Sequence, residues 1–218
     1  GRVSGSLHKH LFPMTIGLLG AGNIGATLAR LLTRQGHDVV VANSRGPETL
    51  HGLVAEIGPR ARADTAEGAA WAADLAIEAV PFKAIPDLPA DALAGTILVS
   101  ASNYYPGRDG QIDLGGATHT EWTARHVPDA RVVKAFNTIY WEHLRDQGDP
   151  SKAMDDRRVI PLAGDDPEAK QAVAEIVEAL GFAPLDLGTL AESGRQEPGQ
   201  PIYNADLTLA EARALVSQ

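Results

Sequence analysis

The stretch Ile16-Gly17-Leu18-Leu19-Gly20-Ala21-Gly22-Asn23-Ile24-Gly25-Ala26-Thr27-Leu28-Ala29 constrains the fold more than any other part of the chain. A short apolar run passes through three spaced glycines into a helical pattern, with Ile24, Leu28, Leu31 and Leu32 on one face. Asp38-Val39-Val40-Val41-Ala42 follows as a second strand, so the glycines sit inside a strand-helix-strand unit. There Gly20 permits the sharp turn out of the strand, Gly22 keeps the backbone bare, and Gly25 lets the helix pack close to the sheet. The first turn of a helix offers unpaired N–H groups at the positive end of its dipole. A diphosphate is the ligand that such a turn suits, which points to a dinucleotide.

The end of the second strand selects the dinucleotide. An NAD site places Asp or Glu there to accept hydrogen bonds from ribose hydroxyls. This chain has Asn43-Ser44-Arg45, and its nearby acid, Asp38, lies at the opposite end of the strand. A hydroxyl and a guanidinium can bond and neutralise a 2′-phosphate that a carboxylate would repel. Ser44 and Arg45 therefore point to NADP(H); the plainer alternative is a solvated turn before Gly46-Pro47.

Length and charge narrow the rest. A chain of 218 residues accommodates one well-buried α/β domain with a short extension, not two full-sized domains. A net charge of -9 without a long basic stretch argues against nucleic acid as a partner. The absence of cysteine excludes disulfides and thiolate chemistry and fits a reducing cytosol. No apolar run approaches the roughly 18 residues of a membrane span. The expectation is a cytoplasmic protein acting on small-molecule coenzymes, with neither membrane nor nucleic acid as partner.

Taken in order, residues 1–13 lack periodicity and read as a disordered leader or tag, whose His8 and His10 have no third ligand to make a metal site. Residues 14–188 alternate strand and helix patterns, predicting a doubly wound, mostly parallel sheet of the Rossmann type. Strands are expected near 15–19, 38–42, 61–63, 75–81, 97–100, 131–135, 158–164 and 182–188, with helices between them. Asp165-Asp166-Pro167-Glu168 reads as the cap of one helix rather than as metal ligands. Three loops then fall at carboxyl ends of strands, where a cofactor lies in such a sheet. Ala79, Val80 and Pro81 suit a ribose or nicotinamide face. Ser102 and Asn103 suit a carboxamide, although both are also common turn residues. Asn137 and Thr138, with aromatic neighbours, suit a flat ring bearing heteroatoms, although Phe136 and Trp141 equally suit a core. Residues 189–218 form a C-terminal extension, expected to pack near that second site, ending in a helix over 208–216.

With the glycine turn, Asn43-Ser44-Arg45, Glu78-Ala79-Val80-Pro81, Val133-Lys134-Ala135-Phe136-Asn137-Thr138 and Ala163-Gly164-Asp165-Asp166 in this order, the chain resembles the NADP-dependent oxidoreductases of the deazaflavin coenzyme F-420. The similarity runs from about Met14 to Gly188. The Lys-Ala-Phe-Asn-Thr segment is its most telling part, and it also looks similar to the cytosolic NADPH domain of membrane ferric reductases. The resemblance implies a hydride passing directly between nicotinamide and deazaflavin rings. It implies that Gly20, Gly22, Asn23, Ile24 and Gly25 hold the diphosphate, Ser44 and Arg45 the 2′-phosphate, and Val80 and Pro81 the ribose side. Ala135, Phe136, Asn137, Thr138 and Ile139 would border the deazaflavin.

Reducing a carbonyl usually requires a placed proton donor. No Lys, His or Tyr is compelled into that role, and His143 and Tyr140 read as ordinary helix or core residues, so no catalytic side chain is assigned. A deazaflavin takes hydride on carbon and can collect its proton from solvent, so orientation could suffice. The leading expectation is hydride transfer between NADP(H) and coenzyme F-420, by a homodimer. The alternatives are an NADPH-dependent reductase of a flavin, ferric complex, imine or small carbonyl, and a non-catalytic NADP(H)-binding sensor.

Overall fold

The computed structural model describes residues 13–217. The apolar runs become β1 (Thr15–Leu19), β2 (Asp38–Ala42), β3 (Ala61–Ala63), β4 (Leu75–Glu78), β5 (Ile97–Ser100), β6 (Arg131–Lys134), β7 (Val159–Gly164) and β8 (Ala183–Asp186). They form one sheet in the order β3-β2-β1-β4-β5-β6-β7-β8. Every pair from β3 to β6 is parallel, β7 runs antiparallel to β6, and β8 is parallel to β7. The order reverses at β1, the switch point at which such sheets open a crevice for a ligand. The doubly wound, mostly parallel fold expected from the sequence is the fold observed.

The helices are α1 (Asn23–Arg34), α2 (His51–Ile57), α3 (Ala66–Ala72), α4 (Ala90–Leu93), α5 (Pro106–Asp109), α6 (His119–His126), α7 (Trp141–Asp146), α8 (Pro167–Ala179) and α9 (Leu209–Val216). Alternation along the strands sorts them into two layers. Ile16, Leu18, Val39, Val41, Leu75, Ile77, Val99 and Val133 pack with α1, α7 and α8 on one face. Leu19, Val40, Ala42, Ala76, Leu98 and Val132 pack with α3 and α4 on the other. By the same alternation Glu78, Ser100 and Lys134 point to the second face, in register across three strands. All three are wholly or almost wholly buried.

Some boundaries differ from the sequence expectation. The fourth strand ends at Glu78, three residues before Pro81, and the sixth at Lys134. The 47–57 helix opens as a tighter 3-10 turn over Pro47–Leu50. The short helix expected within 189–194 lies instead at Ser193–Gln196. Short helical turns at Phe82–Asp87, Ala90–Leu93 and Pro106–Asp109 had no periodic signal, because each is too brief to show one. The Asp166 cap forms as expected, its Oδ1 accepting from Glu168 N and Ala169 N. The leader and the His8 and His10 reading lie outside the described residues, apart from Pro13.

The reversal at β7 shapes the functional edge. Lys134 lies opposite Ala163, so the amino half of β7 extends past the carboxyl end of β6. There Val159, Ala183, Ile202, Leu209 and Ala212 make a small core of their own. The C-terminal extension thus stands as a wall beside the carboxyl edge, anchored by Asn204 N to Thr138 O at 2.8 Å and by a bridge between Arg158 and Thr208.

Candidate functional site

The site is built on the carboxyl edge, beginning at the glycine turn. Gly20 has φ +116°, and a Cβ there would lie 2.5 Å from Ala79 O. A Cβ on Gly25 would lie 2.1 Å from Gly20 O, so this glycine is needed for the helix to close on the turn itself more than on the sheet. Gly22 is different. A Cβ there meets nothing within 4 Å, and the residue is exposed. It is the N-cap of α1, with no side chain capping the helix and no acid in the first turn. The free amides of Asn23 and Ile24 therefore face an open, electropositive cradle that an added side chain would fill. This cradle fits a diphosphate.

At the end of β2 the Asn43 Oδ1 accepts from Arg45 N and Gly46 N, at 3.1 and 2.9 Å, and its Nδ2 donates to Thr49 Oγ1. This closed turn presents Ser44 and Arg45 outward. Among the described residues neither side chain has a hydrogen-bond or ion-pair partner. Asp38 is at the far end of the strand, paired with Arg60. The two groups expected to take a 2′-phosphate are thus held by a side-chain-locked turn with their donors unspent.

Ala79, Val80 and Pro81 follow β4 as a partly exposed apolar ledge beside Gly20. Ser102 and Asn103 follow β5, but their side chains are engaged inward. Ser102 donates through N and Oγ to the Glu78 carboxyl at 3.1 and 3.0 Å. The Asn103 Nδ2 donates to Asn137 O, and Asn137 Nδ2 returns a bond to Asn103 Oδ1, both at 2.9 Å. Gln196 Nε2 completes the group by donating to Asn137 Oδ1 at 3.0 Å and Pro161 O at 3.1 Å. Hence the five residues 135–139 are brought to the edge, yet their side chains are buried. Ala135, Phe136 and Ile139 join the larger core. Phe136 is held at φ +64°, a left-handed conformation unusual for a bulky residue, which turns the chain at the end of β6. The exposed groups here are Tyr140, half exposed, and the partly exposed Tyr105 and Tyr203 with hydrogen-bonded hydroxyls. Burial and that bond push the Tyr203 phenol up. Arg108 lies 5.1 Å from the Tyr105 ring centroid.

Beneath the edge is a cluster around Glu78 and Lys134, which stand in the sequence motifs quoted above without a role. Burial pushes the Glu78 carboxyl up to about 8, against the pull of the Ser102 bonds and Lys134. Burial brings the Lys134 ammonium down to about 8, while Glu197 and Glu78 oppose the shift. Lys134 Nζ donates to Thr120 Oγ1 at 3.0 Å. Neighbouring His119 falls to about 4, through burial and then Lys134, with Glu197 opposing. Tyr104 N donates to His119 Nδ1 and His119 N to Glu197 Oε2, tying the extension to α6. The available signal was a Glu and a Lys each ending a strand directly after apolar residues. Surface hollows of about 350 and 290 Å³ lie elsewhere, by Arg60 at the amino edge and beside α8. A ligand at the carboxyl edge would lie across the strand ends, as on a shelf. Among the described residues no group of three His, Cys, Asp or Glu is placed to hold a metal, and no helix is long and apolar enough to cross a membrane.

Comparison with known proteins agrees with this geometry. Residues 15–104 match the family described as "NADP oxidoreductase coenzyme F420-dependent". Metalloreductase STEAP3 of Rattus norvegicus is 34% identical over 182 residues, covering 84% of this chain and 35% of its own. Metalloreductase STEAP2 of Homo sapiens is 28% identical over 189 residues, 87% of this chain and 36% of that one. The chain thus spans about a third of the length of these curated relatives. Among solved structures, a hypothetical protein of Sinorhizobium meliloti shares 37% identity with a TM-score of 0.79, covering 93% of this chain and 98% of the other. A "putative f420 dependent nadp-reductase" of Arthrobacter sp. FB24 shares 27% identity with a TM-score of 0.70, covering 83% and 87%. The chain belongs to one family with the Sinorhizobium protein, and its residues 15–104 are similar to the NADP-dependent oxidoreductases that the matching family model describes.

Proposed function

We propose that this protein transfers a hydride between NADP(H) and the deazaflavin coenzyme F-420. The observation that carries the cofactor half is the uncapped α1 cradle together with the unpartnered Ser44 and Arg45 at the end of β2. Gly22, Asn23 and Ile24 would hold the diphosphate, Arg45 and Ser44 the 2′-phosphate, and Val80 and Pro81 the ribose side. When bound, the nicotinamide supplies or takes the hydride. The residues of this chain orient it: the ledge after β4 backs one face, and the Tyr140 and Tyr105 rings flank the shelf where a flat acceptor would lie. Two rings held face to face need no acid at the reacting carbon, which agrees with a shelf whose buried carboxyl and ammonium are turned beneath it. The family match and the Arthrobacter neighbour support the deazaflavin as acceptor.

The similarity to metalloreductases supports a second reading, in which the acceptor is a flavin that passes electrons to ferric iron. One assay separates the two. Oxidation of NADPH by purified protein is followed with F-420, with FMN and with a ferric chelate plus FMN. Bleaching of the deazaflavin with NADPH, and little with NADH, is expected. Turnover with FMN alone would replace the first reading by the second, and saturable NADPH binding without any turnover would remove both.

A further inference from the structure

Arg158, at the amino end of β7, is a buried charge whose donors are only partly satisfied. Its side chain is 4% exposed, and its Nε has no hydrogen-bond partner among the described residues. Nη1 makes the contacts that are present: Gln147 Oε1 at 2.7 Å, His143 Nδ1 at 3.3 Å and Asp206 Oδ1 at 3.3 Å. A guanidinium carries five N–H donors in a fork that matches two oxygens of a carboxylate or phosphate. Here the acid opposite meets it through one nitrogen, and Asp206 is 71% exposed on the loop between Asn204 and Leu207. Among the described residues Asp206 has no other partner. Buried donors left unmade cost free energy, so a cation held this way marks a place where an oxyanion is accommodated.

Its position says which oxyanion. Because β7 is reversed, Arg158 stands beyond the end of β6 on the same side as residues 135–140. His143 and Gln147 reach it from α7 and its C-cap, and the His143 ring is 6.0 Å from the half-exposed Tyr140 ring. An apolar ring platform, an imidazole and a guanidinium therefore follow one another up the wall. The chain as a whole carries a charge of -9, which repels an anionic acceptor unless a local cation receives it. We infer that Arg158, flanked by His143 and Gln147, is the subsite for an anionic group on the tail of a ring acceptor, with Asp206 occupying that place until the tail displaces it. The inference rests on the proposed acceptor shelf and specifies the acceptor as a ring bearing a phosphate or carboxylate tail.

The test uses FMN and riboflavin, which share a ring and differ by one phosphate, in fluorescence titrations of the full chain with NADP+ present. FMN is expected to bind at least about tenfold tighter than riboflavin, the measure of one charge-assisted pair. Asp206→Asn is expected to tighten FMN further and leave riboflavin unchanged, while Arg158→Lys, which keeps the charge and loses the fork, weakens FMN alone. Equal binding of the two flavins, with Asp206→Asn shifting both together or neither, would show Arg158 to be a structural clasp and overturn the inference. Should neither flavin bind, F-420 and its tail-free chromophore are compared in the same way by absorbance. Binding of both without preference overturns the subsite while leaving the shelf, whereas binding of no ring removes the shelf and the subsite with it.

Discussion

At the glycine turn the groups offered to a ligand are backbone amides and two exposed side chains with no partner among the described residues; at the end of β6 the side chains are buried and already bonded to one another. The first region is finished by what is missing, since Gly22 leaves the cradle open and α1 has no cap. The second is finished by what is present, an amide chain of Asn103, Asn137 and Gln196 above a buried Glu78 and Lys134. A nucleotide end made of backbone binds any ligand with the right phosphates. The proposed acceptor end, made of interlocked side chains, would set the shape that a second ring must meet.

The largest expected break is in the backbone-built region. Gly25→Val places a Cβ 2.1 Å from Gly20 O, so α1 must lift from the turn; a loss of about 3 kcal/mol or more is expected, with NADPH binding abolished. Thermal unfolding and a fluorescence titration check it together. Arg45→Ala comes next, leaving stability unchanged and weakening NADPH about 10- to 100-fold while sparing NADH, the scale of one charge-assisted phosphate contact. Equal losses for the two nucleotides in isothermal titration would refute the 2′-phosphate assignment.

The interlocked region is expected to break through stability and pH. Gln196→Ala removes a donor from buried Asn137 Oδ1 and should cost about 1 to 3 kcal/mol in urea unfolding, with nucleotide affinity unchanged. For Glu78 the sign follows from its raised carboxyl. Between its usual value of 4.5 and about 8 the native state holds a proton that the unfolded chain releases, so stability falls as pH rises through that window. His119, lowered to about 4, acts in the opposite sense below its usual 6.5, and Lys134, lowered to about 8, makes stability rise above 8. Of the three, Glu78 alone is left between pH 6.5 and 8. There Glu78→Gln should flatten a decline of at most about 1.4 kcal/mol per pH unit; an unchanged slope in the variant would show that the carboxyl is ionised throughout. The smallest effect is Thr208→Ala, which removes the capping box of α9 and should cost about 1 kcal/mol, seen as faster amide exchange in α9 alone.

The contrast also explains what could be read in the chain. The strands were visible because most are short, largely apolar runs closed by a turn signal, and parallel strands buried on both faces need little more. The turn, Ser44 and Arg45 were visible because their chemistry is local. The β7 reversal was not, since no residue within Val159–Gly164 distinguishes a parallel from an antiparallel neighbour. Ser102 and Asn103 were named for a carboxamide, yet their partners Glu78 and Asn137 stand 24 and 34 residues away, beyond the reach of any spacing argument. Phe136 in a left-handed conformation gives no warning either, because its cost of about 1 to 2 kcal/mol is met by packing that only the assembled core supplies.

The reversed strand has a further consequence for the order of assembly. The nucleotide end needs partners drawn from residues 15 to 81, a contiguous piece. The acceptor wall needs residue 137 to meet 103 and 196, and 158 to meet 143 and 206. In synthesis from the amino end, residues 103 to 206 follow the completed nucleotide end. A chain growing from its amino end is therefore expected to become competent for nucleotide before it is competent for acceptor. Until its last segment docks, the protein would hold a reductant with nowhere to send the electrons.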